Sequence, residues 1–237
     1  MERSCRAEDM RAERALAAFM DDCFYSKVAS RKGGSLTFQR MTDCASQQKG
    51  IDVSIKTDGQ EMLIDEKASL YYSNLMIPTF AFELDWIQPG QRHRLPGWFL
   101  DERQDTKYYM LIWPNVKCTH KDNAWIRKDI RALSKNDFTI VEAMLLKKTD
   151  LQTALRQQGY DRKRLEDCAA RFRKTCDADP EKTDRPSNED LNGYLRLSYS
   201  GQLAEKPVNL VIRKEFLKKL AKGIYLISSD GYAALKD

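Results

Sequence analysis

Two aspartates and a lysine flank a short turn in the sequence and together could bind a divalent cation. Residues 51–56 alternate apolar and polar side chains, an Asp-Gly pair follows, and residues 61–68 resume an extended pattern. This pattern predicts a β-hairpin. If the Asp-Gly pair forms a two-residue turn, Asp52 faces Asp65, and Lys67 lies two residues further along the same face. The same register puts an apolar set on the opposite, core-facing side: Ile51, Val53, Ile55, Met62 and Ile64.

The pairing of Asp52 with Asp65 is unfavourable unless a third partner offsets it. Carboxylates directly opposite each other on a hairpin lie about 4.5–5.5 Å apart at Cβ, where like charges repel. Mg²⁺ or Mn²⁺ would turn this repulsion into coordination, because both ions prefer oxygen ligands. The Lys67 ammonium could then orient the attacking water and stabilise charge in a phosphoryl transition state. The alternative is a solvated strand face on which an Asp-x-Lys sequence occurs by chance.

These residues resemble the signature of the PD-(D/E)xK nuclease superfamily. Gly50-Ile51-Asp52, the hairpin and Asp65-Glu66-Lys67 stand in the positions of its motif, with Ile51 where the motif has a proline. The resemblance covers about residues 1–115, together with the strand and helix that follow residue 208. It leaves residues 116–207 unassigned.

The resemblance implies a restriction endonuclease-like α/β fold, with a central mixed sheet flanked by helices. It also implies Mg²⁺- or Mn²⁺-dependent hydrolysis of phosphodiester bonds by Asp52, Asp65 and Lys67, in DNA or alternatively in RNA. In that superfamily the carbonyl at the position of Glu66 adds a metal ligand, and a glutamate of the first helix often completes the site. Glu13 is the best match to that glutamate, and an exposed carboxylate beside the apolar stripe is the alternative. Many such nucleases act as homodimers, although the sequence has no clear interface patch.

Apolar periodicity and turn residues predict the elements that position the hairpin. Further strands are expected at 36–41, 79–84, 107–113, 208–212 and 224–228, and Pro114 is expected to end the third of these. Helices are expected at 7–24, 124–133, 136–147, 151–174 and 214–222, with a break near Gly159. Loops are expected at 42–49 and 176–192.

Length and composition favour one soluble domain. A chain of 237 residues fits a single α/β domain, here a nuclease-like domain over 1–237 in which 116–207 form a helical and loop elaboration. No run approaches the ~18 apolar residues of a membrane span, and the charged N-terminus is unlike a signal peptide, so we expect a cytoplasmic protein with no membrane partner. The six cysteines lack the close pairs of a disulfide framework or a zinc site, which favours reduced thiols.

Positive charge is concentrated in the second half of the chain. Residues 1–115 contain 15 Lys and Arg and 17 Asp and Glu, whereas residues 116–237 contain 25 and 18, giving net charges of −2 and +7. This distribution suits a DNA partner lying across both halves, and a well-solvated surface explains it equally well. Basic residues of two clusters could contact phosphate: Arg213, Lys214 and Lys218, and then Lys128 and Arg131. The alternative for the first cluster is the polar outer face of an amphipathic helix, and the alternative for the second is that its aromatic residues fill the core, which is favoured for Trp113. The second cluster belongs to an aromatic and basic stretch: Trp113, Lys117, Lys121, Trp125, Arg127, Lys128 and Arg131.

The remaining features leave two functions open. Gln48 and Glu83 could approach the metal, although structural roles are more common for such residues. No G-x-S-x-G, GxxxxGK[ST] or GxGxxG motif occurs, which favours metal-assisted hydrolysis over other common chemistries. The rival to a nuclease is a non-catalytic nucleic-acid-binding or assembly protein that keeps the nuclease-like scaffold.

Overall fold

The computed structural model describes residues 6–91, 93–122, 124–179 and 186–236. These residues form two compact units. The first unit contains residues 6–77, 105–148 and 220–236, and the second contains the described residues of 78–104 and 149–219.

The described residues form α-helices, short helical turns and strands, with several strands in succession along the chain. The α-helices are α1 (Arg6–Met20), α2 (Ser26–Arg31), α3 (Cys44–Gln48), α4 (Lys148–Gln157), α5 (Arg162–Asp177) and α6 (Lys214–Leu220). A π-helical turn spans Asp21–Tyr25, and 3₁₀ turns span Leu70–Tyr72, Ile130–Ala132 and Lys135–Asp137. The strands are β1 (Leu36–Arg40), β2 (Val53–Thr57), β3 (Gln60–Ala68), β4 (Thr79–Ile87), β5 (Arg94–Pro96), β6 (Tyr108–Val116), β7 (Cys118–Lys121), β8 (Ala124–Arg127), β9 (Phe138–Lys147), β10 (Pro186–Asp190), β11 (Leu195–Ser200), β12 (Val208–Arg213), β13 (Gly223–Ser228) and β14 (Gly231–Lys236).

The first unit is a mixed α/β structure built on a seven-stranded sheet. The strand order is β1-β2-β3-β6-β9-β13-β14. Strands β3 and β6 are parallel, and the other neighbouring pairs are antiparallel. Apolar residues of α1 at helical spacing, including Leu16 and Phe19, share one buried core with Val53, Ile64 and Ile112 of the sheet. Burial of this apolar surface holds α1 against the sheet.

The second unit contains a five-stranded antiparallel sheet in the order β10-β11-β12-β4-β5. Helix α5 packs on this sheet and buries Leu165 and Phe172. Arg173 of the same helix forms a buried ion pair with Asp85 of β4. The Asp85 carboxylate also lies 2.9 Å from Nε of Arg94 on β5. Two guanidinium groups therefore compensate one buried carboxylate.

Two further features concern the whole described chain. Among the described residues, no helix combines the length and apolar character needed to cross a membrane. The five cysteines within the described ranges are free thiols, and Cys5 lies outside those ranges.

Most of the predicted elements are confirmed. The first helix, the hairpin and the strands predicted near residues 36, 79, 208 and 224 are present as α1, β2–β3, β1, β4, β12 and β13. The long helix predicted at 151–174 is divided into α4 and α5 as expected. The break falls at Gly159, whose φ of +83° suits glycine.

The helices predicted at 124–133 and 136–147 are wrong. Strand β8 and a 3₁₀ turn occupy the first segment, and the long strand β9 occupies the second. Strand β9 lies between β6 and β13. Its apolar residues occur in two short runs, 140–141 and 143–146, instead of strict alternation, and periodicity cannot distinguish such runs from a buried helix segment. Residues 116–207 are therefore not a helical and loop elaboration, because they also contain strands β7 to β11.

Three smaller expectations are also wrong. Strand β6 continues through Pro114 to Val116, where a register shift against β9 accommodates the missing N–H of proline. Helix α3 interrupts the loop predicted at 42–49 because the Asp43 carboxylate caps it, accepting the Ser46 N–H at 2.9 Å. Strand β10 lies in the loop predicted at 176–192 and forms a sheet edge that tolerates its initial proline. Residues 180–185 of that loop lie outside the described residues.

Candidate functional site

The β2–β3 hairpin has the register that the sequence predicts. Val53 pairs with Ile64 and Thr57 pairs with Gln60, which leaves Asp58 and Gly59 as the two turn residues. Gly59 has φ +81°, a left-handed conformation that favours glycine. The predicted core-facing side is confirmed, since Val53 and Ile64 are fully buried.

Asp52 lies one residue before β2, where the regular ladder with β3 ends. Its backbone N–H donates to the Ile64 carbonyl at 2.9 Å, and its own carbonyl accepts the Met41 N–H at 2.8 Å. Its carboxylate accepts the backbone N–H of Glu66 at 2.8 Å. These three hydrogen bonds fix the first acid beside β3 without a regular ladder pair between Asp52 and Asp65.

Asp65 is the most buried acid of the hairpin, with 2% of its surface exposed. Burial raises the pKa of Asp65 to about 7. The nearby ammonium of Lys67 opposes this increase, whereas Asp52 adds to it through its charge and a hydrogen bond between the two side chains. Asp52 therefore lies close to Asp65 and disfavours ionisation of the Asp65 carboxyl.

Lys67 lies against this pair of acids. Its Nζ is 2.7 Å from Oδ1 of Asp65, and 29% of its side chain remains exposed. Burial alone would lower the pKa of Lys67, but the charges of Asp65 and Asp52 raise it above the ordinary range. The charge of Glu13 on α1 raises the same pKa, so this exposed glutamate also lies near the amine.

The side chain of Glu66 points to the opposite face of β3, where it joins a largely buried polar network. The Tyr25 hydroxyl donates to its Oε1 at 2.8 Å, and Arg40 forms an ion pair with its Oε2. Arg40 also pairs with Asp21 at 2.7 Å. Burial raises the pKa of Glu66, and Arg40 opposes that increase. The network anchors the residue whose backbone N–H holds Asp52.

Sequence reasoning missed this network and one further neighbour of the site. Strand alternation places Glu66 on the core-facing side with Ile64, so a buried partner for its charge could have been expected. Tyr109 of β6 is paired in register with Asp65 and is fully buried. Burial and the Asp65 charge raise the pKa of Tyr109. Pairing of β6 beside β3 could not be read from the local pattern.

The site offers oxygen ligands, the kind that a hard divalent cation prefers. Asp52, Asp65 and the Glu66 carbonyl are oxygen donors, and Mg²⁺ commonly completes its shell with water and phosphate oxygens. The crowding of two acids, one of them buried with a raised pKa, is the charge arrangement that a cation would relieve. Within the described residues, however, no three His, Cys, Asp or Glu side chains form a group that could hold a metal ion. The carboxylate pair is thus the candidate site, and Glu13 and Glu66 remain predicted additions.

Other predicted site residues lie elsewhere. Gln48 is exposed on α3 and donates to Sγ of Cys44 at 3.4 Å. Glu83 lies on β4 of the second unit, where its carbonyl closely approaches Gly97.

The predicted phosphate contacts are divided between the two units. Arg213, Lys214 and Lys218 lie at the end of β12 and on α6 of the second unit. In the first unit, Lys128 is 2.8 Å from Asp137, and Arg131 pairs with Asp129. These two cations are therefore already paired within the chain. The Trp113 side chain is buried, and the side chain of Trp125 lies outside the described part of the structure.

Compared with protein-family models, curated proteins and solved structures, the chain has no match.

Proposed function

We propose that this chain is a metal-dependent nuclease that hydrolyses phosphodiester bonds, with DNA as the expected substrate and RNA as the alternative. The observation that carries the proposal is the carboxylate pair of Asp52 and Asp65, one of them buried with a raised pKa, with the Lys67 amine 2.7 Å from Asp65. Neighbouring carboxylates repel each other, and a buried acid with a raised pKa beside a charged partner is typical of functional sites.

Each residue has a distinct role in this proposal. Asp52 and Asp65 would hold Mg²⁺ or Mn²⁺, with the Glu66 carbonyl and Glu13 as further ligands. When bound, the ion would lower the pKa of a water molecule and offset negative charge on the phosphate. Lys67 would orient the attacking water and stabilise the charge that develops on the phosphoryl oxygens. The mixed sheet with α1 packed beside the hairpin supports a restriction endonuclease-like fold as part of the same proposal.

Cleavage assays with a lysine variant and a matched control test this function. Wild-type protein should cut plasmid and linear DNA in Mg²⁺ and should not cut in EDTA. Lys67→Ala should lower the rate by about a hundredfold or more, the usual range for loss of an acid–base group. Lys56→Ala is the control, because this exposed lysine lies on the same hairpin and pairs only at the surface with Glu61 at 3.6 Å. Equal rates for the two variants would contradict the proposed role of Lys67.

A non-catalytic nucleic-acid-binding protein is the second candidate. It is favoured by the ammonium of Lys67 against Asp65, which can neutralise the buried acid without a metal. DNA binding that falls steeply with salt, together with no cleavage and no Mn²⁺ binding in calorimetry, would establish this candidate over the nuclease.

A further inference from the structure

The loop that follows β3 exposes an unusual amount of apolar and aromatic surface. Within six residues it presents Tyr71, Tyr72, Leu75 and Met76, which are 48%, 55%, 61% and 82% exposed. We name residues 71–76 the tyrosine loop. Single exposed apolar residues are ordinary, but four on one short segment mark an interaction surface.

The tyrosine loop is held in one conformation by hydrogen bonds to neighbouring strands. The Asn74 amide donates to the Val116 carbonyl at 3.0 Å and to Sγ of Cys118 at 2.9 Å, and its oxygen accepts the Val116 N–H at 2.7 Å. Asn74 and Met76 have φ values of +67° and +45°, which non-glycine residues rarely adopt. The structure thus maintains a costly backbone conformation while leaving the apolar side chains exposed, which is typical of functional segments.

Positive charge lies beside this loop. The guanidinium of Arg127 on β8 donates to the carbonyls of Tyr71 and Ser73 at 2.6 and 3.1 Å, which joins the β7–β8 hairpin to the loop. Lys117 and Lys121 are exposed on the chain that forms this hairpin, as is one acid, Asp122. Residues 69–77 contain no charged residue. The loop therefore combines two exposed aromatic rings with nearby cations and has no carboxylate. Such a surface complements a polyanion that also has flat apolar groups.

The loop also lies close to the candidate reaction centre along β3. Tyr71 is four positions after Lys67, so their Cα atoms are at most about 14 Å apart. We infer that the tyrosine loop binds unpaired nucleotides of the nucleic-acid substrate, an inference that rests on the function proposed above. Tyr71 and Tyr72 supply stacking faces for bases, and Arg127, Lys117 and Lys121 attract the phosphates.

Unpaired nucleotides fit this surface better than intact duplex does. In a duplex the base faces are stacked on each other, so a protein reads groove edges and phosphates instead. Exposed tyrosines gain little from such a partner, whereas each single-stranded base offers a free π-face. The inferred substrate is therefore a single strand, or a duplex with a frayed or single-stranded end.

Binding of a fluorescein-labelled oligothymidylate in EDTA tests the inference without requiring cleavage. Tyr71→Ala and Tyr72→Ala should each weaken binding about tenfold, as expected for loss of one stacked base. Tyr71→Phe and Tyr72→Phe should bind nearly as the wild type does, because phenylalanine keeps the ring. Ile140→Ala is the matched control, since it removes a 51% exposed apolar side chain elsewhere in the same unit. Affinity for a blunt duplex of equal length should change by less than about threefold in all variants.

Several results would overturn the inference. Unchanged oligothymidylate affinity in both alanine variants would exclude stacking, as would equal losses in the alanine and phenylalanine variants. Tyrosine-dependent binding to anionic lipid vesicles, or tyrosine-dependent self-association, with unchanged oligothymidylate affinity would assign the loop to a membrane or to a second copy. Cleavage with tyrosine-independent strand binding would contradict this inference alone. Tyrosine-dependent strand binding without cleavage would contradict the proposed hydrolysis alone.

Discussion

At the scale of single residues, the charge of the site depends on whether the Asp65 carboxyl is protonated. Burial raises the pKa of this carboxyl to about 7, although Lys67 lies within ion-pair distance. Asp65 is therefore partly protonated near neutral pH when no cation is bound. A metal ion and a proton compete for the same oxygen atoms.

Affinity for Mn²⁺ should accordingly fall as the pH falls through 7. Above this pKa Asp65 is ionised and ready to coordinate, whereas below it one proton must leave for each ion that binds. The expected slope is about tenfold in affinity per pH unit below pH 7. Calorimetric titration at about pH 6 and pH 8 measures this slope, and Lys56→Ala should behave as the wild type does. Equal affinity at both pH values would contradict the assignment of Asp65 as a ligand.

The polar network behind the site should contribute to stability through the Tyr25 hydroxyl. Tyr25→Phe removes the donor to Glu66 and leaves a buried carboxylate oxygen with one partner fewer. The expected cost is about 1–2 kcal/mol in the free energy of unfolding. Urea denaturation measures it, with Tyr72→Phe as the control because that hydroxyl belongs to an exposed side chain. If both variants unfold at the same urea concentration, the hydrogen bond to Glu66 makes no net contribution to the free energy of unfolding.

At the scale of elements, the turn of the hairpin sets the register that brings the two acids together. Slippage by one residue would move Asp65 and Lys67 to the core-facing side. The turn depends on Gly59, whose backbone is left-handed and whose surroundings are open.

Gly59→Ala should therefore destabilise the protein through backbone conformation and not through a clash. A Cβ at this position meets no atom within 4 Å, so the expected cost of about 1 kcal/mol comes from the positive φ. Gly193→Ala is the matched control, because that glycine is equally open but has no positive φ. Thermal unfolding compares the two variants, and an unchanged midpoint for Gly59→Ala would show that the turn tolerates an ordinary residue.

Local patterns predicted the hairpin and its acids because the information lies within about fifteen residues. The Asp-Gly turn and the alternation of Val53, Ile55 and Ile64 are sufficient to give the register. The partners of Glu66 could not be found in this way, since Tyr25 and Arg40 are 41 and 26 residues distant. The local pattern predicts a helix over β9 for a related reason: its short apolar runs fit either element, and only its place between β6 and β13 identifies it as a strand.

At the scale of the whole molecule, the candidate site and part of the predicted phosphate contacts belong to different compact units. The first unit holds the carboxylate pair, Lys67 and the tyrosine loop, whereas the predicted phosphate contacts Arg213, Lys214 and Lys218 belong to the second. Within the first unit, Lys128 and Arg131 each form an ion pair with an acid, Asp137 and Asp129 respectively, and their contacts to DNA stay a prediction. Net charge by half-chain did not predict this division, because each unit is assembled from distant segments.

Anomalous diffraction from crystals soaked in Mn²⁺ tests the central claim most directly. The proposed function predicts a manganese peak shared by the carboxylates of Asp52 and Asp65, with the Lys67 ammonium displaced from its present contact with Asp65. The same soak of Asp65→Asn crystals should give no peak at this position. A wild-type crystal without manganese at the pair, in which Lys67 still lies about 2.7 Å from Asp65, would contradict metal-dependent hydrolysis and favour the binding protein.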